Sequence, residues 1–343
     1  MIIFLTFILI LNNWIINYKL ILMEIINEQN NKIEYNFGLL NIGNTCYANS
    51  AFQLLFTIDE LREYILDDNN WEEQLKEICI KKGISKDEDI LGLIKQYFII
   101  ILYKFLTIPG DVKNPTCLFS LFKYKNPNSN FNIREQNDSH EFLNILIDNL
   151  EEEFYKLKNI ISLETEIKKS EYSSILSDLL NIHYDIRLTN TKDNEIEEFK
   201  EKNNFLYLHL SSDQNKENIQ DLIDKVMNNE NIKVDESEFK KEIKICNTSK
   251  YLLCYLTRFI DMSKNNKPVD ISKIINVNNK KYEIISIISH SGSTNGGHYV
   301  NYSKRKGDWY LFNDSSVHKM SEDTVINNVS SGSAYIMLYK LME

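Results

Sequence analysis

Residues 38–50 read GLLNIGNTCYANS. From Tyr47 to Leu61 the apolar residues Ala48, Ala51, Phe52, Leu55 and Ile58 recur at helical spacing, so a helix is expected to follow this loop. Asn44 and Thr45 supply polar residues for its start. Cys46 then sits where a glycine-containing loop becomes a helix, a place where the dipole and free N–H groups favour a thiolate. A hydrolytic cysteine also needs a base and donors for an oxyanion. Asn41, just upstream, carries a neutral amide able to donate. Taken alone, a cysteine here reads more simply as a buried residue beside a helix cap.

Glycine usage changes the balance. The chain has ten glycines, and five fall in two short stretches: Gly38 and Gly43 before Cys46, and Gly292, Gly296 and Gly297 before His298. A chain this poor in glycine keeps it where the backbone needs unusual dihedrals or close approach. His298 follows the second stretch and opens the apolar segment HYVNYS, which makes it the best placed of the six histidines to act as a base. His140 falls on a helical segment and reads as a partly buried helix residue. Fifteen residues beyond His298, WYLF is followed by Asn313 and Asp314. A carboxylate or amide at that strand end would fix the tautomer and orientation of the imidazole.

Outward from these stretches, the first half is helical and the second half strand-like. A second helix is expected from about Asp87 to Phe105. A third starts at Asp138-x-x-Glu141, a capping-box pattern, with Phe142, Leu146, Leu150 and Phe154 at four-residue steps. Glu151, Glu152 and Glu153 read as its solvated face. FLYLHL (205–210) and KYLLCYLTRF (250–259) read as strands, separated by polar stretches, notably 213–244. YEIISIISH, HYVNYS, DWYLF and AYIMLYKL are four further strands rich in aromatic and β-branched residues. Helices first and an antiparallel sheet after is an α+β order.

Composition narrows the function class. The net charge of −10 argues against a nucleic-acid binder, which would show a basic face. Five scattered cysteines without a C-x-x-C pair argue against both a disulfide scaffold and a cysteine-rich zinc site, so no metal and no cofactor is expected. The first 23 residues, MIIFLTFILILNNWIINYKLILM, are apolar, yet no Lys or Arg precedes the run and Asn12, Asn13 and Asn17 interrupt it. Residues 1–33 are therefore expected to be an extension ahead of a domain spanning 34–343. The expected setting is cytoplasmic, with the nucleus an alternative and membrane association confined to residues 1–22.

GLLNIGNTCYANS, QNDSHEFL, YLLCYLTRF, GGHYVNY, DWYLFNDSSV and AYIMLYKL together resemble the ordered signature of the ubiquitin-specific proteases. The resemblance runs from about Phe37 to Leu341. It implies a papain-like cysteine protease core with a helical thumb (about 37–160), reduced fingers (about 170–254) and an antiparallel β palm (mainly 255–343). It also implies a monomeric deubiquitinase acting on ubiquitin and ubiquitylated proteins. Carried over by position, Cys46 is the nucleophile and His298 the base, then acid. Asn313 or Asp314 is the third member, and Asn41 is the oxyanion side chain. Asp138 and Glu141, with Gln136 beside them, match the residues that receive ubiquitin's C-terminal tail. Gly296 and Gly297 would line a narrow Gly-Gly channel or act as a hinge. Tyr299 would form a channel wall or pack in the core. One departure stands out: family members that brace the fingers with zinc use two C-x-x-C pairs, and Cys246 and Cys254 alone cannot replace them. The fingers are expected to be shortened and held by strand pairing.

Overall fold

The computed structural model describes residues 35–66, 97–159 and 174–342, apart from positions 212, 214, 229, 235–236, 261–262 and 294–295. The chain divides into two units, Met1–Tyr35 and Asn36–Glu343, and every element below belongs to the second. The apolar stretch 1–22, and most of the helix expected from Asp87, lie outside the described residues. No described helix is long and apolar enough to cross a membrane.

Among the described residues, five helices up to Asn159 precede the two large sheets: α1 (Cys46–Leu55), α2 (Asp59–Leu66), α3 (Phe98–Thr107), α4 (Thr116–Lys125) and α5 (Ser139–Asn159). All ten residues of α1 are buried, because α1 packs between α5 and the sheet behind it. Tyr47 at its start meets Phe119, Phe131 and Phe142, with ring centroids 5.5–6.5 Å apart. The expected single helix over 47–61 is in fact two. The Thr57 hydroxyl bonds back to the Gln53 carbonyl at 3.0 Å, and a new helix starts at the acidic pair Asp59–Glu60, which suits a helix N-terminus.

Helix α5 buries Phe142, Leu146, Leu150 and Phe154 as the four-residue spacing requires. Its acidic face is not all solvated. Glu153 is only 3% exposed; its carboxylate accepts from the N–H groups of Phe98 and Ile99 at 2.9 and 2.8 Å and pairs with Lys125 at 2.8 Å. A carboxylate from α5 therefore satisfies the open donors at the start of α3. Burial raises its pKa despite Lys125.

After the short helix α6 (Ile175–Leu180) the chain turns to β-structure. In order come β1 (Ile182–Asn190), β2 (Ile196–Asn203), β3 (Phe205–Leu208), the helix α7 (Ile219–Val226), β4 (Glu230–Val234), β5 (Ser237–Thr248) and β6 (Tyr251–Leu256). Then follow β7 (Ile274–Val277), β8 (Lys280–Ser293), β9 (Gly296–Arg305), β10 (Asp308–Asn313), β11 (Ser316–Met320), α8 (Glu322–Ser330) and β12 (Ala334–Leu341). The eight-stranded sheet runs β11-β10-β9-β8-β12-β6-β3, with β7 also on β8. It is antiparallel except at one edge, where β3 lies parallel to β6.

A second, antiparallel sheet, β2-β1-β5-β4, fills the region expected as fingers. The stretch 213–244, expected as a polar connection, holds α7, β4 and the first two-thirds of β5. All but two of the eight residues of β2 are exposed, so its side chains carry almost no buried alternation. Cys246 is exposed on β5, whereas Cys254 is buried in β6. Among the described residues no three His, Cys, Asp or Glu side chains gather as a metal site.

Candidate active site

The loop before Cys46 is fixed from both sides. Gly43 has φ +149°, and a Cβ there would stand 2.1 Å from the Ile133 carbonyl oxygen. Next to it the Asn44 N–H donates to that same carbonyl at 2.7 Å. Thr45 precedes the helix without capping it: its hydroxyl accepts from Ile42 N and reaches Asn41 Oδ1 instead. Asn41 Oδ1 also accepts from the N–H groups of Gly43 and Thr45 at 3.2 and 3.1 Å. The Asn41 carboxamide is therefore held by its oxygen, with its nitrogen pointing out of the loop.

Cys46 is the first residue of α1 and 5% exposed. At this position the backbone N–H has no acceptor within the helix. His298 lies across from it on β9, and the thiol–imidazole hydrogen bond is the largest influence raising the His298 pKa, to about 9. Burial opposes that rise, while the Asn313 hydrogen bond and the charges of Cys46 and Asp314 add to it. His298 Nε2 stands 2.7 Å from Asn313 Oδ1. An amide oxygen only accepts, so Nε2 carries a proton and Nδ1 is the ring nitrogen left for sulfur.

Asp314 follows Asn313 with φ +49°, which turns its side chain away from the imidazole. Its Oδ2 accepts from Asn41 Nδ2 at 2.9 Å and its Oδ1 from Asn49 Nδ2 at 2.8 Å. Asn49, one turn below Cys46 and 3% exposed, thereby ties α1 to the strand end; its Nδ2 also reaches the carbonyls of Leu39 and Leu40. The sequence reading did not single it out. Its position three residues after Cys46, inside the same motif, was the available signal.

Gln136, Asp138 and Glu141 gather where α5 begins. Gln136 Oε1 accepts from the Gly297 N–H at 2.7 Å, joining the segment before α5 to the start of β9. Asp138 Oδ1 caps α5 through the N–H groups of His140 and Glu141 at 2.6 and 3.1 Å, and its Oδ2 accepts from the Tyr335 hydroxyl. Glu141 is exposed. Tyr299 is 6% exposed, its ring 4.4 Å from His290 and 5.9 Å from Tyr335. His290 is buried and its pKa falls to about 4, through burial first and then the charges of Lys264 and His298. Gly297 leaves room for that ring, since a Cβ would lie 2.1 Å from His290 Nε2. Gly296 faces open space.

A thiol at a helix start, paired with an imidazole held by an amide, is the arrangement of a cysteine-type hydrolase. The family described as ubiquitin carboxyl-terminal hydrolase matches residues 37–339, and the chain belongs to it. It is 24% identical over 387 aligned residues to ubiquitin carboxyl-terminal hydrolase 4 of Saccharomyces cerevisiae, covering 91% of this chain and 40% of that protein. It is 25% identical to ubiquitin carboxyl-terminal hydrolase 46 of Caenorhabditis elegans, covering 85% of this chain and 81% of that protein. The chain thus spans well under half of the yeast relative and most of the nematode one. In structure it is similar to a chain of the SAGA DUB module bound to monoubiquitin, with a TM-score of 0.66 at 19% identity, over 90% of this chain and 69% of that one.

Proposed function

We propose that this chain is a thiol-dependent deubiquitinase that cleaves the bond after the C-terminal glycine of ubiquitin. The observation that carries the reading is the Cys46–His298–Asn313 alignment inside a chain of the ubiquitin carboxyl-terminal hydrolase family. Cys46 passes its thiol proton to His298 as its sulfur attacks the glycine carbonyl, and the carbonyl electrons move onto oxygen. The Cys46 N–H and the second Nδ2 hydrogen of Asn41 are placed to receive that charge, since only one of the two Asn41 hydrogens is engaged by Asp314. The C–N bond then breaks as His298 gives its proton to the leaving amine, which leaves a thioester on Cys46. Water attacks the thioester, His298 takes its proton, and the thiol and free carboxylate are released.

In this reading Asn313 orients His298, and Asp314 holds Asn41 and Asn49. Asp138, Glu141 and Gln136 receive the tail of ubiquitin, and Gly296, Gly297 and Tyr299 border its last residues. The helical layer acts as thumb, the eight-stranded sheet as palm and the four-stranded sheet as fingers of a papain-like enzyme. The test is hydrolysis of a ubiquitin C-terminal fluorogenic amide by the full chain. Release of the fluorophore that Cys46→Ala abolishes supports the reading, and release that survives in that variant overturns it.

A further inference from the structure

The helix bearing Cys46 and the strand bearing His298 meet along a buried polar seam. On α1, Gln53 lies two turns below Cys46 and is 2% exposed; Thr57, just past the helix, is 4% exposed. On β9, Asn301 and Ser303 are fully buried and Arg305 is 4% exposed; Ser286 of β8 is fully buried beside them. Arg305 Nη1 donates to the Thr57 hydroxyl at 2.6 Å, and Nη2 donates to the Gln53 carbonyl and side-chain oxygens at 2.9 and 3.2 Å. Thr57 Oγ1 lies 2.9 Å from Ser303 Oγ, which lies 2.5 Å from Asn301 Oδ1; Asn301 Nδ2 donates to Ser286 Oγ at 2.9 Å.

A guanidinium only donates, so the Thr57 hydroxyl accepts from Arg305, while its one hydrogen faces both the Gln53 carbonyl at 3.0 Å and Ser303 Oγ at 2.9 Å; Ser303 gives its hydrogen to the amide oxygen of Asn301. Every member is served only when helix and strand stand at one separation and one register. The far end of the seam bears on the imidazole's partner. The Arg305 guanidinium lies 4.8 Å from the centre of the Phe312 ring, Asn301 pairs with Phe312 in the sheet, and Asn313 follows Phe312. The near end holds the approach to the nucleophile, where Gln53 Nε2 donates to the Phe37 carbonyl at 2.7 Å.

An apolar seam of similar volume is often as stable or more so. Buried polar groups of this kind instead specify one arrangement, because any shift leaves donors unpaired at low dielectric. We infer that Arg305, Thr57 and Ser303 are positioning residues that set the alignment of Cys46 with His298 through this relay. The inference rests on the hydrolase reading for its kinetic consequence only.

The test compares Arg305→Met, Thr57→Val and Thr57→Ser with the unaltered chain, normalised to folded protein by thermal melting. Hydrolysis of the ubiquitin amide and the pH profile of Cys46 alkylation by iodoacetamide are both followed. The expected result is a kcat lowered at least tenfold with KM held in Arg305→Met and Thr57→Val. The alkaline limb of alkylation should also move to lower pH, and Thr57→Ser should restore both. Should Arg305→Met fail to fold, Thr57→Val carries the same expectations. Alkylation needs no ubiquitin, so it decides the matter even if the unaltered chain leaves the ubiquitin amide intact. Folded variants with an unchanged alkylation profile and kcat within twofold of the unaltered chain would overturn the inference.

Discussion

His298 Nε2 and Asn313 Oδ1 stand 2.7 Å apart, while Asp314, the next residue, turns its carboxylate to Asn41 in the loop before Cys46 and to Asn49 on α1. In the proposed mechanism these two neighbouring residues would serve opposite halves of one reaction, one fixing the proton carrier and the other the amide beside the carbonyl oxygen.

Asp314→Asn keeps a residue type that tolerates the left-handed backbone found there. It replaces an oxygen that accepts from Asn41 or Asn49 by an amide that cannot. A charge-assisted hydrogen bond contributes about 1.5–3 kcal/mol, so kcat for the ubiquitin amide is expected to fall about ten- to a hundredfold. Steady-state kinetics with an unchanged kcat would show that Asn41 needs no such support.

The raised pKa of His298 predicts an alkaline limit. The imidazolium that gives its proton to the leaving amine is present below about pH 9 and lost above it, so kcat is expected to decline as pH rises through about 9. The linkage has the same sign: the stabilisation is complete below the ordinary value of 6.5 and disappears as pH climbs through the folded value. Asn313→Ala removes one influence that raises this pKa, and its limb should appear at lower pH. Identical limbs in the two proteins would separate Asn313 from the titration of His298.

The two glycines before His298 differ in what a methyl group would meet. Gly297→Ala drives a Cβ into the His290 ring and the Ser291 carbonyl, and is expected to cost about 1–3 kcal/mol. Gly296→Ala meets nothing within 4 Å and should leave the melting temperature unchanged while raising KM for ubiquitin substrates. Equal melting temperatures for both variants would contradict this contrast.

Glu153→Ala strips the start of α3 of its acceptor and leaves Lys125 without its buried partner. Breaking a buried pair of this kind costs about 3–5 kcal/mol. Chemical denaturation should register that loss without any direct effect on the site. A change below about 1 kcal/mol would mean that water replaces the carboxylate at little cost.

The site was legible in the sequence where chemistry and backbone geometry coincide. Cys46 stands at a helix start, where its motif puts it, whereas His298 does not open its strand: β9 already begins at Gly296, two residues earlier. Which of Asn313 and Asp314 faces the imidazole was not legible. The answer depends on a positive φ at Asp314 and on Asn49, whose partner lies 265 residues away. Apolar periodicity marked six of the eight strands of the main sheet, all but β7 and β11, and the buried stripe of α5. It missed the whole second sheet: β2 is almost wholly exposed, while β1, whose apolar residues do alternate, lies in the stretch passed over as polar and irregular. It likewise placed Glu153 on a solvated face, because a buried carboxylate is recognised by distant partners and not by its neighbours in sequence.

The most direct measurement is reaction of the full chain with ubiquitin bearing a C-terminal electrophile, followed by mapping of the adduct. The account predicts a single ubiquitin adduct on Cys46 that is absent from Cys46→Ala and slowed in His298→Ala. An adduct on another cysteine, or none with folded protein, would contradict it.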